Sequence, residues 1–167
     1  MDSRAILAEL PRLRRYARAM LGDRAAADDL VQDTLERAWS RISQWRPGSD
    51  LRAWLFGIMH NLRVDQLRRG GLSTTSLDED EVADVPVRPT QSDLLEVMDL
   101  ETALRQLPDE QREILLLVAL EEMSYADIAA LLGIPIGTVM SRLSRGRERL
   151  HLIMDGRQPS ANLRVVR

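Results

Sequence analysis

Five side chains near the end of the chain carry its clearest chemical signal. Thr138, Ser141, Arg142, Arg145 and Arg149 recur at spacings of three and four, so a helix gathers them on one face. Short hydroxyls lead that row and arginines follow. A major-groove reader needs this order: small polar groups where a helix tip meets base edges, and guanidinium forks for guanine or phosphate. A helical hairpin with a solvated basic face would carry the same row. Nothing unites a nucleophile, a base and an oxyanion donor, so no enzyme is implied. The chain has no cysteine, and its two histidines, His60 and His151, lack neighbours at metal-ligand spacing. No metal or other cofactor is expected.

The elements around that row are legible from their ends. Ser124 suits an N-cap and Asp127 a capping-box position three residues on. Ile128, Leu131 and Leu132 give the helix between them an apolar stripe, and Gly133 can end it in the left-handed conformation. Pro135 then restarts the chain at a helix N-terminus. Val139, Leu143, Gly146 and Leu150 form the core side of the second helix, opposite the basic row. Two short helices joined by a tight turn are the expectation for residues 124–150.

All 23 basic residues are arginine, and the formal net charge is −3. The charge is uneven. Residues 1–69 hold 13 arginines against 9 acids, residues 70–93 hold 1 against 6, and residues 94–167 hold 9 against 11. Arginine is the better bidentate ligand for guanine and phosphate, although genome composition gives the same preference. No apolar run approaches the ~20 residues of a membrane span, and no signal-peptide core is present. A cytoplasmic protein follows as the expectation.

Residues 1–10 read as a loose or partly helical lead-in. Pro11 can start a helix whose inner face is Leu13, Tyr16, Ala17 and Met20. Asp23 can cap a second helix, expected over residues 24–42, with Val31, Thr34, Leu35, Ala38 and Ile42 inward. Asp28, Asp29, Gln32, Asp33 and Glu36 share its opposite face, which is either an ordinary solvated surface or a docking surface for a partner helix. A loop over residues 43–50 follows, marked by Pro47 and Gly48. Its Trp45 either packs back on the core or stacks on an unpaired base.

A third helix is expected from Ser49 or Asp50 to Arg69. Leu51, Trp54, Leu55, Ile58 and Leu62 share one side, and Arg52, Phe56, His60 and Arg63 the other. Interleaved basic and aromatic groups suit single-stranded nucleic acid. Asp65 falls in phase with the apolar side and reads as a hydrogen-bonded structural carboxylate.

Residues 70–93 read as a linker, with paired glycines, the acidic run at 78–81 and two prolines. The second domain begins at Leu94 with Leu95, Met98, Ala103 and Leu107 inward. Pro108 opens a helix to about Glu122, whose apolar centre over residues 114–120 should be the buried spine. Residues 156–167 read as a frayed tail. The fold class is therefore all-α: a domain over 1–69, a linker over 70–93, a helix-turn-helix domain over 94–155 and a tail over 156–167.

Four stretches carry a family resemblance. Residues 27–39, ADDLVQDTLERAW, resemble the conserved-region-two helix of bacterial sigma factors. Residues 51–69, LRAWLFGIMHNLRVDQLRR, resemble the promoter-melting helix. Residues 107–117, LPDEQREILLL, and 137–147, GTVMSRLSRGR, look like region four. Their order and spacing identify the chain as a member of the extracytoplasmic-function sigma factors of the sigma-70 family.

The resemblance implies partners and site residues. Core RNA polymerase would be met at the clamp helices of its largest subunit by Asp28, Asp29, Gln32, Asp33 and Arg37, and at the flap of its second-largest subunit by region four. The loop holding Trp45, Arg46 and Ser49 would capture a flipped base of the downstream promoter element. Arg52, His60, Asn61 and Arg63 would lie along the DNA near the melting point. Thr138, Ser141, Arg142 and Arg145 would read the upstream element. The acidic linker would thread toward the RNA exit channel. An anti-sigma factor, often membrane-anchored in this family, would clamp the two domains, giving a monomer or a heterodimer with it. No small-molecule substrate is implied. Met140, Pro135 and Gly146 depart from the family pattern, and Gly146 should loosen its helix by about 1 kcal/mol. A stand-alone helix-turn-helix regulator and a sigma mimic that titrates an anti-sigma factor are the competing readings.

Overall fold

The computed structural model of the chain describes residues 3–70 and 96–156. All its regular elements there are helical: α1 (Ser3–Ala8), α2 (Leu10–Leu21), α3 (Arg24–Ser40), α4 (Leu51–Arg69), α5 (Glu96–Arg105), α6 (Asp109–Ala119), α7 (Tyr125–Leu132) and α8 (Ile136–Met154), with one 3-10 turn at Ile42–Gln44. The expected linker beyond Gly70, the helix start at Leu94, the inward side chains Leu95 and Met98, and the tail beyond Gly156 lie outside the described residues.

Local chemistry sets most of the helix ends. Asp23 accepts from the Ala26 amide at 3.0 Å, and Asp50 accepts from the Arg52 and Ala53 amides. These side chains satisfy amides that a helix start leaves without partners. Gly22 ends α2 with φ of 75°, a conformation open to glycine at little cost. The lead-in is ordered: α1 buries Ile6 completely. Helix α3 stops at Ser40, two residues earlier than expected, and Ile42 falls in the 3-10 turn.

The first domain packs α2, α3 and α4 around Leu13, Tyr16, Met20, Leu30, Val31, Leu55, Met59 and Leu62. Thr34 is fully buried there, its hydroxyl donating to the Leu30 carbonyl at 2.7 Å. The second domain packs α6, α7 and α8 around Ile114, Leu117, Ile128, Val139 and Leu143.

The two domains also pack on each other. Helix α2 meets α5 and α6, and α4 meets α7. Leu117 and Leu131 close over Tyr16, Met20, Phe56 and Met59, leaving a gap of about 10 Å3. Phe56 therefore lies in a core and not on a nucleic-acid face. It is 2% exposed, and its ring meets the Tyr16 ring edge-on at 5.0 Å. The second domain covers the side of α4 that the sequence left to solvent. Asp65 is half-buried, but its carboxylate makes no hydrogen bond among the described residues, contrary to the structural role expected of it.

Candidate nucleic-acid interface

The upstream-reading elements form as their capping residues dictate. Ser124 accepts from the Asp127 amide at 3.0 Å, and Gly133 ends α7 at φ of 71°. The chain bends by 107° between α7 and α8, within the range of a DNA-binding helix-turn-helix. Pro135 stands at the N-cap of α8 without a side-chain cap. Val139 and Leu143 are buried, as their phase requires.

On the outer side of α8, Ser141 and Arg145 are exposed and Thr138 is half-buried. The Ser141 hydroxyl turns back to the Thr138 carbonyl at 3.3 Å. Arg142 is half-buried and reaches Glu110 of α6 at 3.8 Å. Arg149 is also half-buried. Met140 is 49% exposed beside this row, an apolar step in an otherwise polar surface.

On α3, the four acidic or amide side chains Asp28, Asp29, Gln32 and Asp33 are exposed along one face, with Arg37 half-buried beside them. Arg18 of α2 reaches Asp28 at 3.6 Å. Between α3 and α4, Arg46 and Ser49 are exposed, and the Ser49 hydroxyl donates to the Arg46 carbonyl at 2.6 Å. Trp45 is half-buried, and its indole N–H is sequestered with no acceptor among the described residues.

Helix α4 holds the remaining residues, and most of them are occupied. Arg52 donates to Glu9 at 3.4 Å. His60 Nδ1 is 2.6 Å from Glu113 Oε2. Arg63 donates to both carboxylate oxygens of Asp109, at 3.0 and 3.4 Å. Asn61 alone of this group is exposed. His60 and Arg63 thus face the second domain, and its acids occupy their polar groups in this arrangement.

The acids that hold them were not singled out in the sequence. Asp109 and Glu113 stand one turn apart on α6, in phase with Leu117, so the face that carries them is the one that meets the first domain. Burial raises the cost of a charged Asp109, but the hydrogen bonds and charges of Arg63 and Arg112 outweigh it and hold its carboxyl below the usual range. Arg112 also donates to the Leu107 carbonyl at 2.8 Å, which ties the end of α5 to α6. A third acid, Glu121, has a fully buried side chain between Arg12 at 3.4 Å and Arg15 at 3.6 Å. Each of these cross-domain pairs places the base on the first domain and the acid on the second.

A helix-turn-helix with hydroxyls and arginines outward, joined to a helical domain with an acidic face and a basic, aromatic helix, defines a DNA-reading protein of transcription. Comparisons with known proteins give the family. Residues 6–60 match the family model described as the Sigma2 domain of PhyR, and residues 98–150 match Sigma-70, region 4. The chain is 39% identical over 166 residues to the ECF RNA polymerase sigma factor EcfG of Rhodopseudomonas palustris (strain TIE-1), covering 96% of this chain and 92% of that protein. Among solved structures it is similar to the sigma factor RpoE from Bartonella quintana, in complex with the anti-sigma factor NepR. That match has a TM-score of 0.73, 36% identity, and coverage of 99% of this chain and 98% of that one. It is also similar to CnrH in complex with the cytosolic domain of CnrY, with a TM-score of 0.68, 26% identity, and coverage of 93% and 88%. The chain belongs to the extracytoplasmic-function RNA polymerase sigma factors. It is a sigma factor, and its activity is promoter-directed initiation with core RNA polymerase.

Proposed function

We propose that the arrangement described is the closed, resting state of this sigma factor, and that its site residues act once the two domains part. The observation that carries this reading is the capture of His60 and Arg63 by Glu113 and Asp109. Core polymerase is met by Asp28, Asp29, Gln32, Asp33 and Arg37, most of which already face solvent. Trp45, Arg46, Ser49, Arg52, His60, Asn61 and Arg63 engage the downstream element. Extruding a base there costs a few kcal/mol, and stacking together with polymerase binding offsets that cost. Thr138, Ser141, Arg142, Arg145 and Arg149 engage the upstream duplex.

The partner that keeps the sigma factor inactive is an anti-sigma factor, as RpoE is bound to NepR and CnrH to CnrY. The chain works in the cytoplasm and carries no catalysis of its own. Purified chain added to core polymerase should select a defined promoter set in genome-wide run-off transcription. Charge-reversed Glu113→Arg, which spares the bond between Asp109 and Arg112 inside the second domain, should raise that activity by opening the domains. No promoter selection by the chain with core polymerase would sink the assignment of the site. Unchanged activity in the Glu113→Arg variant would sink the closed state as a resting state.

A further inference from the structure

One part of the domain boundary breaks the rule of base against acid. Arg14, Arg15 and Arg18 of α2, Arg24 at the start of α3 and Arg105 at the end of α5 surround a cleft of about 760 Å3. Glu101 is the one acid in its lining. Arg15 and Arg18 have carboxylates in reach, Glu121 and Asp28. Arg14, Arg24 and Arg105 have no ion pair among the described residues, and all three are exposed. The Arg105 guanidinium lies where a Cβ on Gly22 would stand, so a glycine lets the second domain bring a cation into this corner. Leu104 and Leu120 provide an apolar floor.

Closing the domains therefore gathers like charge here, which disfavours closure. A bound anion reverses that effect. The volume is that of a small-molecule site, and arginine forks match phosphate oxygens in pairs. Exposed single ion pairs contribute little, so an anion must meet several of these arginines at once to bind well. Acidic residues one turn apart on a helix have Cβ atoms about 5–6 Å apart and bring a backbone with them. Linked phosphates place the same charge within one cleft.

We propose that this cleft binds a small anion of three or more linked phosphates and that its occupation stabilises the closed state. The cleft is complete only when α5 lies against α2, so the ligand and closure favour each other by linkage. The source is either a free phosphate chain or the tail of a nucleotide.

The test uses the full chain, sodium tripolyphosphate as probe and constant ionic strength. Calorimetry should give one site per chain, and fluorescence transfer between dyes on the two domains should rise on binding. Arg14→Ala with Arg105→Ala should weaken binding at least tenfold, with circular dichroism confirming that the helices remain. Arg147→Ala, on α8, should leave binding unchanged. Tighter binding of ATP or GTP than of tripolyphosphate would support the site and assign it to nucleotides; weaker binding would support it and assign it to a phosphate chain. Equal effects from monophosphate, from a glutamate peptide of matched charge, or of Arg147→Ala and the double variant would overturn the proposal.

Discussion

His60 Nδ1 lies 2.6 Å from Glu113 Oε2, across the boundary between the two domains. Burial opposes a charged imidazole here. The hydrogen bond to Glu113 and the charges of Glu113 and Asp109 outweigh burial and the opposing charge of Arg142, so the His60 pKa is raised. Protonation and closure therefore favour each other.

The pH dependence of closure follows from that sign. The contribution of His60 is complete below the ordinary histidine value of about 6.5 and is lost as pH rises through the raised value. Fluorescence transfer between the domains should fall as pH rises past the ordinary histidine value and through the raised one. The Asp109 carboxyl, held low by Arg63 and Arg112, stays charged over that range. His60→Gln should flatten the profile. A closed fraction that grows with pH would contradict the assignment.

Arg63 and Arg112 share Asp109, which separates two effects. Arg63→Ala removes the cross-domain bond and leaves Arg112 at 2.7 Å from Asp109. It should open the domains without unfolding the second one. Asp109→Asn strips both arginines of their carboxylate and should destabilise the second domain by about 1.5–3 kcal/mol. Urea denaturation followed at α6 distinguishes them. Equal loss of stability in both variants would show that the two bonds do not act separately.

Phe56 is a core residue, and its truncation reports on packing. Phe56→Ala should cost about 3–5 kcal/mol in urea denaturation, partly through loss of the Tyr16 contact. A nearly neutral change would return Phe56 to the nucleic-acid face.

The helix ends were legible because their causes are local. Asp23, Asp50, Ser124 and Gly133 each act within a few residues of the amide or turn they serve. Phe56 was misread because periodicity marks which faces of α4 are apolar and not what covers the others. A ring between His60 and Arg52 looks the same whether it awaits a base or another domain. Asp109 and Glu113 were missed because their partners lie 46 and 53 residues away. The charge contrast between residues 1–69 and 94–167 held a trace of that pairing, but a sum of charges does not say which groups meet.

Gly146 is where α8 lies against α6. A Cβ there would meet Gln111 Cβ and Leu115 Cδ1 at 3.4 Å, ordinary contact distance. Gly146→Ala should stabilise the second domain by up to about 1 kcal/mol, the difference in helix propensity. Thermal denaturation checks this, and a lowered midpoint would mean that α8 cannot take the methyl group.

The closed interface joins two parts of one chain, and this governs how it can be opened. Tethering presents each domain to the other at an effective concentration of about millimolar. An interface with an intrinsic dissociation constant of about 1 mM, only about 4 kcal/mol of association free energy, would then be half closed at any dilution. Lowering the amount of protein cannot release His60 and Arg63; a competitor for either face can. For an interface of that strength, a single cross-domain bond is enough to move the balance.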